Sequence, residues 1–327
     1  MKVLGIESTA HTFGVSIIDN KKVLSNHKAV YTTEQGGMIP YEVSEHHYDN
    51  FMRIIKESLK KAGISLSEIE LISFSQSPGI GNTLRVGAVV ARSLAVNLNI
   101  PIIGVNHCIA HLEIGNMVFP ECKDPVLLYV SGANTQIIAF EANRYRIFGE
   151  TLDMGVGNFI DSFARYIGLG FPGGPKIEKL ASQSKNYIKI PYCVKGMDVN
   201  FGGILTNLKQ KYKKKTYKTE DLCYSLQETI FAMLTEVSER AMAHCSKNEL
   251  LLGGGVACNK RLQEMCEIMC KQRGAKLYVP ENQFLVDNPA MIAWLGFIKY
   301  RSGIRQKIED TKIQPYLRTD EVEVIWR

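Results

Sequence analysis

The sequence predicts an α/β protein built as two similar lobes around a cleft, and three observations carry that reading. The chain has 327 residues, room for about two domains of ordinary size. Short apolar runs of strand character alternate with longer runs of helical spacing, the mark of layered α/β architecture. One plan also occurs twice: a β-hairpin meander, then alternating helix and strand, once from residue 1 and again from Asp124. The duplication is one of pattern, without close repetition of sequence.

In the first half, KVLGIE and FGVSIID read as two strands joined by the polar turn STAHT (8–12). Asn20-Lys21 turns the chain into a third strand, KVLSNHKAV. A loop with Gly36, Gly37 and Pro40 follows. Phe51, Ile54, Ile55 and Leu59 recur at helical spacing, which predicts a helix over Tyr41 to Ala62, stopped by Gly63. LISFSQ (71–76) is a buried strand and SPGIGNT (77–83) a glycine turn. Leu84 to Leu98 is an apolar helix, and Ile102 to Val105 a strand.

The second half repeats the order. VLLYVSGANTQIIAF (126–140) is strand, polar glycine turn and strand, and RYRIFGE (144–150) a third strand. A helix is expected near Asn158 to Ile167, followed by the glycine-proline loop GLGFPGGP (168–175). Thr219 to Ser246 is a long helix. ELLLGGGV (249–256) is a strand running into a triple-glycine turn, Asn259 to Arg273 a helix, KLYVP (276–280) a strand, and Pro289 to Arg301 the last helix. The expected division is residues 1–123 for the first lobe and 124–301 for the second. The segment 302–327 is expected to pack back on the first.

Composition narrows the function classes. Lys plus Arg is 39 and Asp plus Glu 33, a net charge of +6 that permits an anionic partner without demanding one. The eight cysteines form no C-x-x-C, which excludes zinc ribbons, zinc fingers and thioredoxin-like motifs. Several sit in apolar surroundings, so reduced thiols and a cytoplasmic location are expected. The N-terminus carries no apolar stretch followed by a small-residue cleavage site. No run reaches the ~18 apolar residues of a membrane span, and no membrane partner is expected.

The strongest chemical signal is His107-Cys-Ile-Ala-His111. At i, i+4 on a helix both imidazoles face one side, where they either hold one metal ion or lie unligated. The turns STAHT and SGANT (131–135) are rich in small hydroxyl residues, and their matching positions suit an anion such as a nucleotide phosphate. GGGVACN (253–259) is either a flat platform for a ring or a tight strand-to-helix turn. FPGGPKIE (171–178) offers Lys176 and Glu178 as polar handles. Asp161 and Asp287 stand in weakly charged segments, where a lone aspartate is often only a cap or a surface residue. KQKYKKKTYK (209–218), six lysines in ten residues with two tyrosines, either tracks a phosphate backbone or is a solvated loop.

Together these motifs resemble one family. GIESTAHTFGVSIID, SPGIGNTLRVGAVVARSLA, NHCIAHLEIG, LLYVSGANTQ, GNFIDSFAR, FPGGPKIEKL, LLLGGGVACNKRL and VDNPAMIAW occur in order over nearly the whole chain. They are similar to the archaeal and eukaryotic type of tRNA N6-threonylcarbamoyladenosine synthase catalytic subunit of the KEOPS/EKC complex, formerly called O-sialoglycoprotein endopeptidase. The resemblance implies two actin/Hsp70-like (ASKHA, RNase H-like) lobes around a nucleotide cleft. Three positions depart from the family pattern: Ala133 where many relatives have a second glycine, Ser8 where archaeal relatives often have glycine, and LVDN in place of a cysteine-threonine-aspartate-asparagine stretch.

The implied activity is transfer of the threonylcarbamoyl group from threonylcarbamoyl-adenylate to N6 of the adenosine 3′ to the anticodon in tRNAs reading ANN codons. The implied metal ligands are His107, His111 and Asp287, with Tyr129 as a further one. Imidazole and carboxylate suit iron and zinc alike, and a tyrosinate favours ferric iron. Tyr129, Val130, Ser131, Gly132 and Ala133 would line the phosphate and acyl part of the adenine nucleotide, whether adenylate, ATP or AMP. Asp161, Gly174 and Glu178 would hold ribose and adenine, and Asn259 would contact the base. Glu7, Lys176, Gly254 and Gly255 would stand behind them. No catalytic base is implied.

The implied partners are tRNA, a small atypical kinase/ATPase and small adaptor subunits. RTDEVEVIWR (318–327) lies where some archaeal relatives continue into a fused kinase. A metalloprotease would need a glutamate directly after His107, where Cys108 stands. An ATPase, or a regulator of the partner kinase, is the other alternative. The ATPase would need an aspartate-glycine-threonine turn where Ile6-Glu7-Ser8-Thr9 occurs.

Overall fold

The computed structural model describes residues 1–33 and 38–327. The expected loop glycines Gly36 and Gly37 lie outside the described residues. Strands β1 (Lys2–Glu7), β2 (Thr12–Asp19) and β3 (Lys22–Val30) form the antiparallel meander, and β4 (Leu71–Ser77) and β5 (Ile102–Asn106) extend it in parallel. The sheet order is β3-β2-β1-β4-β5. In the second half β6 (Val126–Val130), β7 (Thr135–Glu141) and β8 (Arg144–Glu150) repeat the meander, and β11 (Glu249–Gly253) and β12 (Lys276–Tyr278) extend it. The order β8-β7-β6-β11-β12 matches the first sheet strand for strand. A two-stranded ribbon, β9 (Val194–Lys195) with β10 (Asp198–Val199), is separate from both.

Helices α1 (Pro40–Ala62) and α2 (Gly81–Leu98) cover the outer face of the first sheet. Pro40, expected in the preceding loop, is instead the first residue of α1, where its missing N–H costs nothing. Helix α2 begins three residues before the expected Leu84. The outer core of the second sheet is built from α4 (Val156–Tyr166), α5 (Gly174–Ala181), α6 (Gly202–Lys213), α7 (Thr219–His244) and α8 (Lys260–Arg273).

The remaining helices, α3 (His107–Val118), α9 (Asn282–Leu285) and α10 (Pro289–Arg301), lie toward the inner side. Residues of α3 and α10 share one apolar core with both sheets. Ten of the twelve residues of α3 are buried, which explains why it is apolar on every side.

Helix α10 lies within the span 124–301 expected for the second lobe. Helix α10 follows the second sheet in sequence but packs on the first: Ser73 Oγ donates to Ile292 O at 2.7 Å. Gly5 permits this, because a Cβ there would lie 2.5 Å from both Ala293 N and Pro289 O. Apolar pattern reveals that a helix is buried, not which sheet it covers. The tail divides similarly. Around 306–315 it packs on the first lobe, with Gln306 accepting from Gly104 N and Gln314 donating to Gln76 O. Beyond that it crosses to the second, where Arg318 pairs with Glu150 and Glu323 bridges to Arg144, before Trp326 Nε1 donates to Glu113 Oε1 of α3.

Two further expectations change. The 168–175 loop ends at Gly173, and Gly174 opens α5, too short for a clear period. Half of the lysine run is helical, since Lys209 to Lys213 close α6; Lys209 lies over Tyr166 and Lys211 over Tyr217 at 5.2 and 5.1 Å. Among the described residues no helix is long and apolar enough to cross a membrane.

All eight cysteines are free thiols, and burial pushes those of Cys122, Cys223 and Cys266 up to about 12. A thiol needs its thiolate to react. In native protein at pH 8, a disulfide reagent is therefore expected to label the half-exposed Cys193, Cys245 and Cys258 first. The buried thiols Cys108, Cys122, Cys223, Cys266 and Cys270 should react only on unfolding. Mass mapping of labelled peptides checks this; rapid native labelling of Cys223 or Cys266 would contradict the packing.

Candidate metal centre

His107 and Asp287 stand at the N-terminal ends of α3 and α10. Asn106 caps α3, its side chain accepting from Cys108 N at 3.0 Å and Ile109 N at 3.2 Å, so His107 is the first helical residue. Asn288 caps α10 by accepting from Met291 N at 3.0 Å, which leaves Asp287 just outside that helix. A carboxylate is favoured there by the exposed backbone N–H groups. One helical turn carries His111 onto the side of His107, with ring centroids 4.8 Å apart.

His107, His111 and Asp287 thus offer two imidazole nitrogens and a carboxylate oxygen, all within 4.8 Å of one another. Asp287 Oδ1 lies 3.4 Å from His107 Nε2 and 3.5 Å from His111 Nε2. Both ring nitrogens of His111 are buried and make no hydrogen bond among the described residues. Leaving such atoms unpaired is costly, and an ion bound between the three groups would relieve it. The donor set suits a transition metal bound through imidazole and carboxylate.

Behind these three groups sits Glu7, fully buried at the end of β1. Its Oε2 accepts from His107 Nδ1 at 2.9 Å; its Oε1 accepts from Thr9 N at 2.7 Å and Thr9 Oγ1 at 2.5 Å. The bond to Nδ1 turns Nε2 toward Asp287, the carboxylate–histidine arrangement that orients metal ligands. Burial opposes a charge on His107, but Glu7 and Asp287 outweigh it and raise its pKa well above the usual histidine value. Burial lowers that of His111, and the neighbouring His107 adds to the effect. Burial would raise Asp287, yet the two histidines close beside its carboxylate, His107 above all, hold it well below the usual carboxylate range. Lys28 Nζ donates to Asp287 O at 3.1 Å, and His11 Nδ1 is 3.9 Å from Asp287 Oδ2.

Tyr129 is fully buried on β6, its ring centroid 5.0 Å from that of His111. Burial raises its phenol well above the ordinary value, so without a cation beside it the group stays protonated. Val130 ends the strand, and Ser131, Gly132 and Ala133 make the turn beyond it. That turn rests on the start of α4: Gly157 N donates to Ser131 O at 3.0 Å and Asn158 N to Gly132 O at 2.9 Å. Gly132 and Ala133 face outward and are exposed.

The other expected residues form a neighbouring group. Asp161 Oδ1 accepts from Gly173 N at 2.7 Å, which holds the glycine loop ahead of Gly174; burial raises its pKa. Glu178 accepts from Lys260 N at 2.9 Å, joining α5 to α8, and Lys176 Nζ donates to Leu169 O. Asn259 caps α8 and donates Nδ2 to Gln227 Oε1 at 2.9 Å. A 3₁₀ turn, Gly255–Cys258, precedes that helix. Gly254 has φ +91°, and a Cβ there would meet Val130 O at 2.3 Å, so it serves a close strand-to-turn approach. A recess of about 320 Å³ between Thr32 and the loop at Gly168–Phe171 opens beside Lys176.

His11 connects the two groups, standing near Asp287 and 6.1 Å from Phe171, ring to ring. Sequence reasoning missed Thr9, His11 and Lys28 as site neighbours. Thr9 and His11 lay inside a turn already singled out for its anion-binding character, whereas Lys28, 259 residues from Asp287, gave no local signal.

Comparison with known proteins completes the description. Residues 22–294 match the family model for tRNA N6-adenosine threonylcarbamoyltransferase. A protein of that name from Thermococcus kodakarensis is 55% identical over 326 residues, covering all of both chains. A Methanococcus vannielii protein, named probable bifunctional tRNA threonylcarbamoyladenosine biosynthesis protein, is 50% identical; the alignment covers 99% of this chain and 58% of that one. Among solved structures, full-length HypF in its phosphate- and nucleotide-bound form superposes with a TM-score of 0.64 at 11% identity, covering 91% of this chain and 46% of HypF. The Acidaminococcus fermentans (R)-2-hydroxyglutaryl-CoA dehydratase component A gives 0.57 at 12% identity, covering 92% and 99%. At such identities these two show the fold alone.

Proposed function

Because the chain belongs to the tRNA N6-adenosine threonylcarbamoyltransferase family and has its two actin/Hsp70-like lobes, we propose that His107, His111 and Asp287 are the metal site at which this transferase acts. The observation that carries the proposal is the pair of buried, unpartnered nitrogens of His111 beside Asp287, with Glu7 orienting His107. We assign iron as the ion, with zinc as the alternative compatible with the donors. Tyr129 stands close enough to His111 to be considered a fourth ligand. A bound ion supplies Lewis-acid polarisation of the acyl carbonyl.

The donor is threonylcarbamoyl-adenylate, and the acceptor is the adenosine 3′ to the anticodon in ANN-reading tRNAs. N6 bonds to the carbamoyl carbon, the bond from that carbon to the phosphate oxygen breaks, and AMP leaves with the electron pair as N6 loses a proton. An amine conjugated to a purine is a weak nucleophile, so this chain contributes chiefly by holding donor and acceptor together. The exposed backbone of Gly132 and Ala133 faces the phosphate and stabilises charge as AMP departs. Asp161, Gly174 and Glu178 hold the ribose and adenine. Asn259 uses the amide hydrogen not given to Gln227 for the base.

The partners we assign are a small kinase/ATPase and small adaptor subunits. The relatives named bifunctional support an associated second activity, since this chain spans only about three-fifths of their length. The free thiols favour the cytoplasm.

The test is reconstitution. The protein is combined with kinase and adaptor partners, tRNA, threonine, bicarbonate, ATP and an adenylate-forming enzyme. Nucleosides from the digested tRNA are then searched for N6-threonylcarbamoyladenosine by mass spectrometry. Product that disappears on chelation and returns with iron is expected. Product insensitive to chelation would remove the metal from the reading, and none with any partner set would remove the transfer itself.

A further inference from the structure

A second recess, of about 350 Å³, flanks the metal centre. Cys108, the residue after His107, lines it, and so does Ala133 of the turn assigned to the donor phosphate. Gln136 on β7 and Glu150 at the end of β8 form the wall in the second lobe. The C-terminal segment supplies the rim, where Tyr316 is 92% exposed. The recess therefore reaches both the metal helix and the phosphate turn, yet nothing assigned so far uses it.

Gln136 indicates what the recess takes. It is only 8% exposed, and its Oε1 is buried with no hydrogen-bond partner among the described residues. Its Nε2 makes one long contact, 3.4 Å to Glu150 Oε2. A buried amide oxygen without a donor marks a place where a ligand donor belongs. Adenine carries an N–H donor at N6 beside a ring-nitrogen acceptor, and a glutamine amide is complementary to that edge. An exposed tyrosine ring is the usual stacking surface for a base splayed out of RNA. Arg318, paired with Glu150 at 3.1 Å, brings a guanidinium to the same rim, where a backbone phosphate would pass.

We propose that this recess binds the acceptor adenine of the tRNA, turned out of its stack, with Gln136 reading its N6 edge and Tyr316 stacking on its face. The assignment rests on the transferase reading above and adds where the acceptor lies. N6 carries two hydrogens: Gln136 Oε1 takes one, and the other is lost on transfer. The recess thus presents the amine beside the turn that holds the leaving phosphate.

Two measurements on the assembled complex test this. The first is kcat/KM for tRNA with Gln136→Leu and Tyr316→Ala, alongside AMP binding and metal content. A loss of ~10–100-fold for each is expected, with AMP and metal binding unchanged and activity restored in Tyr316→Phe. Tyr316 is too exposed for its removal to endanger folding. The second is binding of an anticodon stem-loop carrying adenosine or inosine at the acceptor position. The unaltered protein should prefer adenosine by ~10-fold, and Gln136→Leu should abolish the preference. Unchanged tRNA kinetics with no preference for adenosine would overturn the assignment. Equal loss of AMP binding would give the recess to the donor instead. If no complex makes product, the transfer reading fails, and the stem-loop preference still decides the recess.

Discussion

A chain carrying His111→Leu is expected to fold normally, bind no metal and lose about a thousandfold or more in transfer rate. The rate follows from the ion's contribution, several kcal/mol of transition-state stabilisation, at tenfold per 1.4 kcal/mol. The folding expectation follows from geometry. His111 is buried with both ring nitrogens unpartnered, so leucine removes two unpaired polar atoms and fills most of the space. In chelator the variant should melt at or above the unaltered protein's temperature, by an amount equivalent to about 1 kcal/mol. The two possible roles of this histidine part here: a structural one predicts lower stability on substitution, a ligand one predicts a sound fold with no metal. Thermal melting in chelator, elemental analysis of the purified protein and the transfer assay read the three quantities. A destabilised variant that retains its metal would reverse the assignment.

Glu7→Gln should lower metal affinity by about 10–100-fold, the usual cost of removing an outer-shell partner. Glutamine has the shape of glutamate but only one acceptor oxygen. Thr9 presents two donors to Oε1, its N–H at 2.7 Å and its hydroxyl at 2.5 Å, so the amide oxygen stays on that side. The amide NH₂ then faces His107 Nδ1, which must accept rather than donate. The imidazole proton moves to Nε2, where the ion belongs, and the wrong tautomer is presented. Competition titration against a chelator measures the affinity, and excess metal should restore much of the activity. Unchanged affinity would mean that Glu7 only packs the end of β1.

Much of the fold was legible because its signals are local. RYRIFGE and the helix from Pro289 to Arg301 match the structure residue for residue, and the hairpins and Gly63 stop also lie where expected. The i, i+4 histidine pair required only the helical period. Elements too short or polar to show a period were missed: α5, the β9–β10 ribbon and α6, whose lysine-rich end resembles a loop in composition alone. The resemblance placed Asp287 with the histidines, something its spacing could not have done.

The sequence by itself therefore determined the two repeated sheets, the helix that carries His107 and His111, and the family. Tertiary structure alone decided that α10 turns back from the second lobe onto the first, bringing Asp287 to within 3.5 Å of His111. It also decided that Glu7, a hundred residues before His107, sets the tautomer of that imidazole. Hydrophobic period states how much of a helix must be buried. Only the packing of both sheets against α3 and α10 states which surfaces meet, and the proposed metal centre lies where they do.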